Sequence, residues 1–100
     1  MVPPIIDPVS VELLKKELND NTFLRTTNRG DNELYVVNNE TAPNVLREIG
    51  RLREVSFRAV GGGSGKSCDL DHFDLEDPAC FQLIVWNPEA DEIIGGYRFT

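Results

Sequence analysis

Residues 43–59 read PNVLREIGRLREVSFRA, and this stretch decides the fold class. Thr41 and Pro43 supply the start signal of a helix that runs to about Ala59. With Val45 at 0° and about 100° per residue, Ile49, Leu52, Ser56 and Ala59 fall within about 40° of it. Arg47, Arg51, Glu54 and Arg58 fall near roughly 180–240° and form a solvated stripe. Arg53 breaks the pattern, landing near about 80°, between Ile49 at about 40° and Leu46 at about 100°. A guanidinium inside an apolar arc is costly unless it meets carboxylates or a polar cavity. A structural ion pair, or a side chain snorkelling past the rim, accounts for it as well.

The rest of the chain can be read outward from this helix. Residues 1–9, with three of the six prolines, form an extended arm. Ser10 is an N-cap candidate for a short helix to about Leu18, with Leu14 and Leu18 on one face. Asn19-Asp20-Asn21 stops it. Two β-prone runs follow, Thr22–Thr27 and Glu33–Asn38, joined by a Gly- and Asn-containing connector that suits a hairpin loop. Beyond the long helix, residues 61–79 are a glycine- and acid-rich loop without periodicity. Cys80–Trp86 is apolar on both parities, as in a strand covered on both faces. After the turn Asn87–Glu92, residues Ile93–Phe99 return as an antiparallel strand. The order predicts a single α+β domain: a mostly antiparallel sheet packed by one long and one short helix.

Composition removes several function classes. Ten Lys and Arg stand against 17 Asp and Glu, a net charge of −7. That balance argues against a nucleic-acid backbone as partner and gives no support for an anionic membrane surface. No stretch approaches the roughly 18–20 apolar residues of a spanning helix. No secretion signal is visible in MVPPIIDPVS, and two cysteines are no disulfide scaffold, so the reducing cytoplasm is the simplest compartment. The final strand stops without a turn or cap. It predicts a missing neighbour, a longer parent protein, or self-association through an exposed edge.

Three motifs fail on inspection. The string GGGSGKS at 61–67 imitates a phosphate-binding loop, but Val60 occupies the position of the required first glycine. In Asp69–Asp74, Phe73 and Asp74 sit where a calcium loop needs an oxygen ligand and a glycine. Cys68, His72 and Cys80 lack a standard zinc spacing. No bound metal or cofactor is expected. What remains is Arg53 on the buried side of the helix, three spaced aspartates, and Arg98 in the last strand, beside Gly95-Gly96. On that strand Arg98 shares parity with Gly96 and Ile94. Such groups build either a pocket for a zwitterion or salt bridges tying helix to sheet.

Three motifs in this order carry a family likeness. They are Leu52-Arg53-Glu54-Val55-Ser56-Phe57, then Asp69-x-Asp71-x-Phe73-Asp74, then Glu92-Ile93-Ile94-Gly95-Gly96-Tyr97-Arg98-Phe99. Together they resemble the opening half of a GNAT-superfamily acyltransferase. The likeness is to the ornithine- or glycine-lipid N-acyltransferases often labelled haemolysins, and it covers about Pro43–Thr100. The acyl-homoserine-lactone synthases share a similar pattern, but the usual tryptophan-containing stretch between Phe57 and Asp69 is replaced here by GGGSGKS. Asp69 stands where those synthases commonly have glutamate.

The resemblance implies transfer of a fatty acyl group from acyl carrier protein, or acyl-CoA, to the amine of a small amino acid, for lipid precursor synthesis. It implies a cytoplasmic parent protein that is peripheral to the inner membrane. Arg53, Phe57 and Arg98 match the family's substrate-binding positions, and Asp71 and Asp74 match its acidic, catalytic ones. The donor-binding segment would follow Thr100, so residues 1–100 alone are expected to be inactive. Arg47, Arg51 and Arg58 offer a basic stripe to an acidic carrier protein. The alternatives are a non-catalytic α+β interaction module and an autoinducer-type synthase.

Overall fold

The computed structural model describes residues 4–27, 31–59, 61, 70, 74 and 80–99. In chain order the elements are α1 (Val11–Glu17), β1 (Phe23–Thr26), β2 (Glu33–Val37), α2 (Pro43–Ala59), β3 (Phe81–Asn87) and β4 (Glu92–Phe99). The strands form one antiparallel sheet in the order β1-β2-β3-β4. This is the α+β arrangement expected from the chain, an antiparallel sheet packed by one long and one short helix.

Strand alternation sorts the side chains onto two faces. Register pairs Tyr35 with Ile84, Val37 with Gln82 and Glu33 with Trp86, so these share one face. On it Tyr35, Val37, Ile84 and Trp86 join Leu14, Leu18, Ala42, Val45, Leu46 and Ile49 in a single core. Both helices therefore cover the same side of the sheet. The other face differs from the expectation of a doubly covered β3. Leu83 and Val85 are only half-buried, and Phe81 stacks on Phe99 at 5.8 Å with both rings exposed.

The two helices are joined through a carboxylate. α2 begins with Pro43 and has no acidic residue in its first turn. Glu17, the last residue of α1, fills the role from outside: it accepts from the Val45 amide at 2.8 Å and the Asn44 amide at 3.2 Å. A negative group there satisfies orphan N–H donors and meets the positive end of the helix dipole. Ser10 stands at the N-cap of α1 as expected, but its hydroxyl makes no capping bond; only its carbonyl accepts from Leu13 and Leu14.

β4 carries a bulge. Val85 pairs with Gly95 but Trp86 pairs with Ile93, leaving Ile94 as the extra residue. The parity reading of Arg98, Gly96 and Ile94 breaks at this point: Ile93 packs on the core while Ile94 is exposed. Gly96 stays opposite Ile84, so close to β3 that a Cβ would lie 2.9 Å from the Leu83 carbonyl oxygen.

Candidate functional site

The α2 helix is buried along Val45, Leu46 and Ile49, and this orientation turns Arg53 toward the sheet. There Arg53 Nη1 donates to Asp74 Oδ2 at 3.1 Å and Nη2 donates to Gln82 Oε1 at 3.3 Å. Gln82 Nε2 in turn donates to Asp74 Oδ1 at 2.8 Å, closing a ring of three hydrogen bonds. Gln82 pairs with Arg98 across β3 and β4, so Arg98 lies on the same face. Its Nη1 stands 3.5 Å from Asp74 Oδ1. Two cations and an amide from three separate elements therefore converge on one carboxylate.

Burial separates these groups. Asp74 and Gln82 are 0% and 1% exposed, whereas the Arg53 and Arg98 side chains keep 27% and 36% of their surface. Beside the ring opens a cleft of about 350 Å³ between α2 and the β3–β4 pair. Arg53, Gln82 and Ser56 are polar members of its lining, and Ile49, Leu52, Ile84 and Ile93 are apolar ones. Phe57, one turn beyond Arg53, stands at the same cleft with 47% of its surface exposed.

The expected residues thus sort plainly. Arg53, Asp74 and Arg98 meet, and Phe57 borders the cleft they adjoin. Asp71 lies outside the described residues, as do Asp69, His72, Cys68 and GGGSGKS except its first glycine. Cys80 is a buried free thiol. Among the described residues no group of three or more His, Cys, Asp or Glu gathers as a metal site.

Two features escaped the helical wheel. The stripe of Arg47, Arg51, Glu54 and Arg58 is not simply solvated. Glu54 is fully buried and takes Arg58 Nε at 2.6 Å. Arg51 forks onto Glu48 at 2.7 and 2.6 Å, and that hydrogen bonding raises its already high pKa. Two cations offered to an acidic partner are thus engaged within the helix itself. The other feature is Gln82, a polar residue in an apolar strand at the parity of Ile84 and Trp86. That parity was the available signal.

Comparison with known proteins adds the family. Residues 52–100 match the model of the acetyltransferase (GNAT) domain. The chain is similar to a glycine N(alpha)-acyltransferase of Bacteroides thetaiotaomicron, 58% identical over 95 residues, covering 95% of this chain and 28% of that protein. It is likewise similar to a glycine N(alpha)-acyltransferase of Phocaeicola vulgatus, 55% identical over 95 residues, covering 95% of this chain and 29% of that protein. The chain spans less than a third of the length of these curated relatives. No solved structure matches it significantly. Among the described residues no helix is long and apolar enough to cross a membrane.

Proposed function

Because the chain belongs to the GNAT superfamily, we propose that it is part of an N-acyltransferase acting on glycine. The whole protein moves a fatty acyl group from a thioester, on acyl carrier protein or coenzyme A, to the α-amine. The observation that carries this reading is the join between the Arg53–Asp74–Gln82–Arg98 cluster and the apolar cleft. A cleft lined by a guanidinium and by several isoleucines suits a molecule that carries both a charged group and an apolar chain. An N-acyl amino acid is such a molecule, and a lipid precursor.

In this reading Arg53 and Arg98 hold the acceptor carboxylate by charge-assisted hydrogen bonds. Phe57 walls the site where the acceptor meets the acyl chain. The uncharged amine attacks the thioester carbonyl; a C–N bond forms, the C–S bond breaks, and the sulfur leaves as a thiol. The amine must first lose a proton, which a carboxylate or a water chain takes up. Asp71 is assigned to that acidic role by the family resemblance. Asp74 has no exposed surface and both its oxygens are engaged, so it acts from behind, as the group that aims the two arginines.

The test is acyl transfer by the whole protein. Glycine is supplied with long-chain acyl carrier protein or the matching acyl-CoA, and the products are followed by mass spectrometry and thiol release. N-acylglycine formed with one thiol released per product is the expected result, and the faster of the two donors identifies the thioester used. Intact thioester with glycine and every other small amino acid would overturn the reading.

A further inference from the structure

Gln82 is the one member of the cluster that neither the family motifs nor the charge pattern points to. It is 1% exposed, the first residue of the helix-facing row of β3, between Val37 of β2 and Arg98 of β4. Its amide has a single chemically sensible orientation. A guanidinium only donates and an ionised carboxylate only accepts, so Oε1 must face Arg53 and Nε2 must face Asp74.

This amide holds the second Nη of Arg53 while the carboxylate holds the first. A guanidinium held by one hydrogen bond can pivot about it, whereas one held at both Nη atoms is fixed in its plane. Asp74 Oδ2 holds Nη1 at 3.1 Å, Gln82 holds Nη2 at 3.3 Å, and the 2.8 Å bond between the two acceptor groups sets their spacing. The same bond fixes the rotation of the Asp74 carboxylate, whose Oδ1 faces Arg98 at 3.5 Å. The anchor is a central strand paired on both sides. We propose that Gln82 is a positioning residue that sets the direction of Arg53 directly, and of Arg98 through Asp74, toward the carboxylate of the bound amino acid. This inference rests on the reading that the two arginines hold the acceptor.

Two measurements on the whole protein test it. The first needs no substrate: low-temperature ¹⁵N spectra of the arginine side chains, with Arg53 assigned from the Arg53→Lys variant. Arg53 should show separate Nη resonances, which merge in Gln82→Met as the fork loses one anchor. The second is steady-state acylation of glycine by Gln82→Met. KM for glycine should rise about tenfold to a hundredfold, the scale of a misplaced binding group, with kcat little changed. A merely structural glutamine would instead lower the amount of active enzyme at unchanged KM. If Gln82→Met fails to fold, Gln82→Asn, too short to span both partners, should give the same two changes. Unmerged resonances with unchanged KM would overturn the proposal. Merged resonances in an enzyme that does not acylate glycine would remove the acceptor assignment and leave the positioning role standing.

Discussion

At the scale of single residues, the ion pair between Arg53 and Asp74 does two things at once. Through Gln82 and Arg98 it ties α2 to the β3–β4 pair, and it presents part of the guanidinium to the cleft. A structural ion pair and a guanidinium open to a polar cavity, the two readings left by spacing alone, therefore coexist in one side chain. Replacing Arg53 with Met should lower stability by about 2–3 kcal/mol, because a fully buried carboxylate loses a charge-assisted partner while Gln82 and Arg98 remain. Arg53→Lys keeps the charge but not the fork and should cost about 1 kcal/mol. Urea unfolding measures both, and a Lys variant as stable as the parent would show that the fork geometry is irrelevant. The two neighbouring glycines differ in the same local way. Gly96→Ala should lower the melting temperature by about 4–8 °C or more, the equivalent of at least about 1 kcal/mol in a chain of this size. A Cβ there meets backbone at 2.9 Å, whereas at Gly95 it meets nothing within 4 Å. Gly95→Ala should leave the melting temperature within about 2 °C of the parent's.

Between elements, the decisive contact is a cap supplied by a neighbour. Glu17 ends α1 yet closes the first turn of α2 with hydrogen bonds to the Asn44 and Val45 amides and the Asn44 side chain. Glu17→Ala should cost about 1–2 kcal/mol in urea unfolding, as a lost N-cap does. Ser10→Ala should stay within about 0.5 kcal/mol, since that hydroxyl caps nothing. A large effect at Ser10 and none at Glu17 would reverse this account. The β4 bulge belongs to the same scale. One extra residue, Ile94, returns Ile93 to the core, while on the far side of it Gly96 and Arg98 keep the register of Ile84 and Gln82.

Across the whole molecule, one sheet is covered by helices on one side and half open on the other. β3 is paired on both edges, β4 on one, and β1 is a four-residue strand interrupted by a register shift. Amide hydrogen exchange should therefore be slowest in β3 and fastest in β1, and a uniform rate across the sheet would contradict this architecture. The topology also explains what could be read without coordinates. Local periodicity determined the two helices, the two hairpins, their order and the oddity of Arg53, because side-chain direction follows from 3.6- and 2-residue repeats within each element. The motif order likewise pointed to the superfamily. Only the folded chain decided that Glu17 caps a different helix, that Glu54 is fully buried while its partner Arg58 is not, and that Gln82 links Arg53 to Asp74. Those partners lie on separate elements or beneath surfaces built by them, and no repeat within one element carries the distance to another.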